Sequence, residues 1–398
     1  MNPPDLPKIL MMVTAPESIA ALLRGQLDYL AKRGFSIRVV TGRSRHLDAA
    51  RASTTVPIDV VSWSREIDLI ADLRGLVDCF RLLRLHKPDV SVYSTPKAGL
   101  IGSMASRVMR VPRRIYVLRG LRYETATGRA RSFFRLLERL ACACSHTVVC
   151  VSPSLRDVAV RDGLASPEKL LVLGSGSSNG VNAVRFARTP ESEASAQALR
   201  SENGISEQDF VIGFVGRLTR DKGIVELVTA FQQLRLRHRS VRLLVGGDVE
   251  APGTLPGWML DELKAGDRIH WLGFVSDQTV FYSAIQVLAL PTYREGFPNV
   301  VLEAGSASVP TVTTRATGAV DSVVDGETGL LVEVRDSRSL EAALEQLVTD
   351  PNEALRMGAN ARERVSSEFT NDRMWALWAE LFAGSTVQVP AEPDEGTS

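Results

Sequence analysis

Short apolar, β-branched runs alternate with amphipathic helical stretches along this chain, and the alternation occurs twice. In the first half the runs are Ile9–Thr14, Ser36–Thr41, Val56–Ser62, Asp89–Tyr93, Arg114–Leu118 and Thr147–Val151. Helical stretches separate them at Ile19–Lys32, Ile67–Leu85, Leu100–Arg110 and Arg131–Cys144. The pattern restarts after Asp209 with Val211–Val215, Val241–Val245, Ile269–Leu272, Gln286–Leu290, Thr311–Thr313 and Gly329–Val332. Strands that are apolar on both sides and linked by helices form parallel sheets with both faces covered. The expected fold class is therefore α/β, with two doubly wound Rossmann-like domains. In such sheets ligands bind beyond the carboxyl ends of the strands.

Length and composition agree. A chain of 398 residues has room for two ordinary domains, and 44% hydrophobic with 23% charged residues is globular usage. No apolar run reaches the eighteen or so residues of a membrane span. Ile9–Ala15 is short, ends at Pro16-Glu17 and reads as a core strand and not a signal peptide. Cys79, Cys142, Cys144 and Cys150 lack paired C-x-x-C spacing, which suits reduced thiols in a cytoplasmic protein. Residues 1–180 carry 27 basic against 15 acidic side chains, and residues 181–398 carry 20 against 31. The two halves are thus built for different partners. Gly174–Gly180 reads as a linker or hinge, because its G-x-G opens no helix. Domain limits are expected at 1–180, 181–365 and a returning C-terminal helix at 366–384. A Pro- and acid-containing tail at 385–398 is expected to be disordered.

Pro291–Gly305 joins a buried strand, an exposed turn and a helix that starts near Asn299, with Pro298 suited to the first turn. Glu295 lies in the turn, and Glu303 lies about one helical turn inside. Both flank a helix N-terminus, which favours an anion. Acids so placed can accept hydrogen bonds from hydroxyls on whatever carries that anion. Taken by themselves they are what a surface turn and a solvated helix face ordinarily provide. In the same half, Gly216-Arg-Leu-Thr-Arg-Asp-Lys-Gly223 exposes Arg217 and Lys222 at a strand–helix turn. Two such cations can hold a diphosphate. The chain has no literal D-x-D, so a metal-held diphosphate is not indicated.

Glu295 and Glu303, with seven residues between them, resemble the E-x7-E signature of the retaining GT-B glycosyltransferases of family 4. Phe214–Gly223, Gly273-Phe-Val275, Glu295-Gly-Phe-Pro-Asn299 and Val324–Val332 are similar to further motifs of that family, and Asn179-Gly-Val-Asn182 to its N-G-V-D. Arg24–Leu30, Thr95–Gly99 and Leu118–Glu124 look like the surface-polysaccharide branch, including hexosyl- and N-acetylhexosaminyl-transferases that extend lipid-pyrophosphate-linked glycans. The resemblance implies two Rossmann-like domains facing each other across a cleft. It implies that Arg217 and Lys222 bind the donor diphosphate, that Glu295 meets the sugar, and that Glu303 meets the ribose. The backbone of Gly216, Gly296, Phe297, Pro298, Asn299 and Val300 would surround the phosphates, and Phe274 and Val275 the base. On the acceptor side it implies Ser18, Lys97, Arg119, Arg122, Tyr123 and Glu124. The implied reaction needs no cofactor and no metal, only a nucleotide sugar of the UDP type. Two departures stand out: the first loop is Ala15-Pro-Glu-Ser18 where many relatives are glycine-rich, and Arg119 stands where many have a histidine.

The basic half fits a lipid-linked acceptor, and Phe133–Leu140 with Arg129 and Arg131 is a basic amphipathic stretch able to lie on an anionic leaflet or pack in a core. Trp375 and Trp378 read as helix packing, not sugar stacking. Competing readings are a sugar-nucleotide epimerase of the same fold and a non-catalytic nucleotide-sugar binder. Nucleic acid is disfavoured because aromatics are only 6% of residues.

Overall fold

The computed structural model describes residues 6–63, 68–250, 253–265 and 268–384. The C-terminal stretch 385–398, expected to be disordered, and the start of the helix predicted from Ile67 lie outside these residues. The chain divides into two units, one running to Asn179 and resuming at Asn371, the other Gly180–Thr370.

The first unit holds, among the described residues, β1 (Lys8–Met12), β2 (Ser36–Thr41), β3 (Ile58–Val60), β4 (Val90–Tyr93), β5 (Arg113–Leu118), β6 (Thr147–Cys150) and β7 (Leu170–Val172). They form one parallel sheet in the order β3-β2-β1-β4-β5-β6-β7. Strand order reverses between β1 and β4, and the loops there are tied together. Thr14 N donates to Thr95 Oγ1 at 2.9 Å, and Ser94 N to Met12 O at 3.1 Å. The predicted helix over 19–32 is two helices, Glu17–Leu22 and Gln26–Lys32. Gly25 breaks it with φ +75°, where a Cβ would strike the Trp375 ring at 2.6 Å.

The helix Asn371–Ala383 belongs to this unit. Trp375 sits 5.2 Å from the Tyr29 ring, and Arg113 Nη1 donates to Phe382 O at 2.7 Å. Both indoles are packing groups. Trp375 Nε1 donates to Asn179 Oδ1 at 2.6 Å and Trp378 Nε1 to Ser178 O at 2.9 Å. Those bonds, with Ser177 N on Val151 O at 2.7 Å, hold the linker-or-hinge stretch Gly174–Gly180 against the first unit as far as Asn179. Residues 177–179 are pinned inside the first unit, and the chain leaves it only after Asn179.

The second unit holds β8 (Phe210–Val215), β9 (Val241–Gly246), β10 (Ile269–Gly273), β11 (Val287–Leu290), β12 (Thr311–Thr314) and β13 (Gly329–Val332), all parallel in the order β10-β9-β8-β11-β12-β13. Every residue of β8 and β11 is buried, which is why these segments read as unbroken apolar runs. The order reverses between β8 and β11. The segment before Asp209 contains a helix, Pro190–Glu202, opened by a Thr189–Ser192 capping box.

Candidate donor site

Two loops leave the sheet of the second unit at its point of reversal: residues 216–223 after β8 and 291–298 after β11. Open parallel sheets bind ligands at this crevice. Backbone bonds lock the loops to each other. Tyr293 N donates to Asp221 O at 2.8 Å, and Thr292 Oγ1 donates to the same carbonyl at 3.0 Å. Gly223, at φ +71°, lets Pro291 approach so closely that a Cβ would lie 1.9 Å from its carbonyl oxygen. From the next strands, Leu218 N donates to Asp248 O at 2.9 Å and Gly247 N to Gly273 O at 2.6 Å. Four strand ends therefore form one continuous rim.

Lys222 and Glu295 meet on this rim. Lys222 Nζ donates to Glu295 Oε1, with both side chains mostly buried. The Glu295 turn is itself held from behind, since Glu295 N donates to Thr317 O at 2.8 Å and Gly318 packs against the Glu295 and Gly296 carbonyls. Arg217 is exposed and pairs with Glu250, an acid the sequence reading did not single out. Arg217 thus stands on the same rim as Lys222 but is aimed away from Glu295.

The helix Asn299–Ser306 begins beside this pair, and its first amides have no intrahelical partner. Pro298 is the residue before the helix, with ψ 108°, and not its first turn as the sequence suggested. Glu303 accepts from the phenol of Tyr282 at 2.8 Å. Burial pushes the Glu303 carboxyl up, while the Tyr282 hydrogen bond and Arg185 pull it back. Tyr282 and Arg185 carried no signal in the sequence, because a tyrosine in a short apolar helix reads as core. Val275 covers Gly246, whose Cβ position is 2.6 Å from Val275 Cγ2, and Phe274 beside it is 78% exposed. Glu295, Glu303, Lys222, Gly216, Phe274 and residues 296–300 are thus borne by the strand ends and helix start of one unit.

The residues predicted for the acceptor lie in the first unit and differ among themselves. Arg119 follows β5. Burial lowers its guanidinium to about 10, and its Nε is buried with no hydrogen-bond partner among the described residues. Arg122 is exposed, stacked 4.7 Å over the Phe134 ring. Ser18 and Glu124 are half-buried. Lys97 is spent on Asp72 at 2.7 Å. Tyr123 is fully buried and donates to Asp162 Oδ2 at 2.8 Å, so it belongs to the core and not to an open surface. Among the described residues no three His, Cys, Asp or Glu side chains gather as metal ligands.

Two Rossmann-like parallel sheets, one carrying a cation–acid pair and an open helix start at its switch point, are the architecture of a GT-B glycosyltransferase. Residues 195–364 match the family described as glycosyl transferases group 1, and residues 19–176 match the glycosyl transferase 4-like domain. The chain is 35% identical to the capsular polysaccharide biosynthesis glycosyltransferase CapM of Staphylococcus aureus, over 92% of this chain and 94% of that one. It is 25% identical to the UDP-Gal:alpha-D-GlcNAc-diphosphoundecaprenol alpha-1,3-galactosyltransferase of Escherichia coli, over 86% and 88%. Anabaena HepE in complex with UDP-glucose superposes with a TM-score of 0.78 at 20% identity, over 95% of this chain and all of that one, which speaks to the fold. The chain belongs to the GT-B glycosyltransferases of family 4.

Proposed function

We propose that the protein moves a hexosyl or N-acetylhexosaminyl group from a UDP-sugar to a lipid-linked or polysaccharide acceptor in surface-glycan synthesis, retaining anomeric configuration and using no metal. The observation that carries this reading is the contact of Lys222 with Glu295 at the switch point of the second unit. The relative named for a UDP-Gal donor and a diphosphoundecaprenol acceptor supports the choice of both substrates.

In this reading the diphosphate enters against Lys222, Arg217 and the amides that open the helix Asn299–Ser306, where cations and helix dipole oppose its charge. Lys222 then exchanges part of its contact with Glu295 for phosphate oxygen. That frees the Glu295 carboxylate to accept from sugar hydroxyls. Glu303, oriented by Tyr282, accepts from ribose hydroxyls, and Phe274 and Val275 flank the base. The bond from the sugar C1 to the β-phosphate oxygen breaks, and a bond from C1 to the acceptor oxygen forms on the same face. The acceptor proton passes to the departing phosphate, and UDP leaves. Arg119, with its unsatisfied Nε, binds an anionic oxygen of the acceptor.

A thermal-shift screen of UDP- and GDP-sugars tests the donor, since a ligand of the folded state alone raises its melting temperature. A shift with the UDP series that Lys222→Ala abolishes is expected. A shift confined to GDP-sugars would overturn the UDP assignment, and none with any nucleotide would sink the reading. Transfer undiminished by EDTA, and a product anomer matching the donor by NMR, are expected for the metal-free, retaining course.

A further inference from the structure

We infer that the outward faces of the helices Leu69–His86, Pro96–Val108 and Gly128–Cys144 form one surface that docks on an anionic phospholipid bilayer. These helices follow β3, β4 and β5 and lead to β4, β5 and β6, so all three crossovers run the same way along the sheet. Right-handed connections then place them on one face. They are neighbours there: Lys97 binds Asp72 across the first pair, and Arg107 Nη1 donates to Ala143 O at 2.8 Å across the second.

Their inner sides are ordinary core, including Cys79, Leu83, Ala105 and Cys142. Their outer sides are not ordinary surface. Among the described residues, all nine large hydrophobic side chains left exposed in the first unit lie on these three helices. On the first helix Ile70, Leu73 and Val77 recur at helical spacing, each exposed. Met104 and Val108 do so on the second, the latter 69% exposed. Phe133, Leu136 and Leu140 do so on the third. Hydrophobic side chains scattered singly need no explanation, but a contiguous set confined to one face does.

The charges decide what covers it. Arg74, Arg81 and Arg84 are exposed on the first helix, Arg107 on the second, and Arg129, Arg131 and Arg139 on the third. No carboxylate is exposed on any of the three among the described residues: Asp72 and Asp78 are half-buried in ion pairs, and Glu138 is buried. Apolar tips interleaved with arginines, and no acids, match the acyl boundary and headgroups of an anionic leaflet, where arginine stems lie along apolar surface with their heads on phosphate. A nucleic-acid face would need several exposed aromatics for stacking, and among the described residues this one has Phe133 alone. The inference stands independently of the donor and acceptor assignments.

Sedimentation of the full chain with vesicles tests it. Binding to phosphatidylglycerol–phosphatidylcholine vesicles is expected, with little binding to phosphatidylcholine alone. An arginine at an anionic surface is worth about fivefold in partition, so Arg131→Gln/Arg139→Gln should bind about 25-fold more weakly. Phe133→Ser/Leu136→Ser should lose about tenfold or more. Leu136→Cys carrying an environment-sensitive dye should shift to the blue only on anionic vesicles. The melting temperature and the UDP-induced shift should be unchanged in every variant, which separates this test from that of the donor site. Equal binding to both vesicle types, full binding by the variants, or an unshifted dye would overturn the proposal. Self-association without vesicle binding would assign the face to a second copy instead.

Discussion

Lys222 and Glu295, 73 residues apart in sequence, join their charges at the seam where the strand order of the second unit reverses. Neither β8 nor β11 contributes a polar side chain from within the sheet, since both strands are wholly apolar and buried. The charged side chains are carried by the loops at their carboxyl ends. The pair joins the two loops by side chains as Tyr293 N on Asp221 O joins them by backbone, and so ties Lys222, the proposed phosphate-binding cation, to the position of the acid.

Because the two groups touch, their removal should not be additive. Lys222→Ala should lower transfer by about a hundredfold to a thousandfold, the range for losing one group that stabilises developing charge. Glu295→Ala should lower the turnover rate while leaving UDP affinity nearly intact. The double variant should be little worse than Lys222→Ala alone. Steady-state kinetics and UDP titration of the three variants measure this, and equal loss of UDP affinity in Glu295→Ala would contradict the assigned division of labour.

Gly318 positions the acid from behind. It sits at φ +75°, and a Cβ there would lie 2.2 Å from Gly296 O and 2.6 Å from Glu295 O. Gly318→Ala combines a left-handed strain of about 1–2 kcal/mol with a backbone clash, so the Glu295 turn must move. The expected result is a lower melting temperature together with a fall in turnover exceeding the fall in UDP affinity. Gly326→Ala, also at positive φ but with nothing within 4 Å, supplies the control for strain alone.

Tyr282 and Glu303 give a pH-dependent readout. The Tyr282 hydrogen bond holds down a carboxyl that burial pushes up. Tyr282→Phe should therefore let Glu303 keep its proton to higher pH, and a protonated acid is a poorer acceptor for ribose hydroxyls. UDP affinity should fall about tenfold near neutrality, the order of one lost hydrogen bond to a charged group. The acidic limb of the affinity–pH curve should move to higher pH. Glu303→Ala should weaken UDP more than 2′-deoxy-UDP; equal weakening would remove Glu303 from the ribose.

Much of this was legible from sequence for a physical reason. Strands buried on both faces must be apolar throughout, so β8 and β11 stand out as runs such as Val211–Val215. The E-x7-E spacing marks a turn and a helix face together. What escaped was polar or short. The helix Pro190–Glu202 is Ser-, Ala- and Glu-rich and lacks an apolar stripe. The break at Gly25 depends on Trp375, some 350 residues away in the chain. The partners Glu250, Thr317 and Tyr282 come from other loops, and no local pattern announces a contact made by tertiary folding. Tyr123 misled because its neighbours Arg122 and Glu124 are less buried, while its own side chain turns inward to Asp162.

Glu138 supplies a test of the first unit alone. On the inner side of the helix Gly128–Cys144 it accepts from Tyr116 Oη at 2.8 Å, and burial raises its carboxyl from 4.5 to about 7. Because the folded state holds this proton more tightly than the unfolded one, the stability it contributes is fully present below about 4.5. That contribution is lost as pH rises to and through about 7. Glu138→Gln keeps an acceptor for the Tyr116 hydroxyl and removes the titration. The variant should match wild type near pH 4.5 and gain on it with rising pH, reaching about 3 kcal/mol above pH 7 at about 1.4 kcal/mol per pH unit. Urea unfolding followed at several pH values checks the slope. A difference between the two proteins that does not change with pH would show that Glu138 stays at its ordinary carboxylate value.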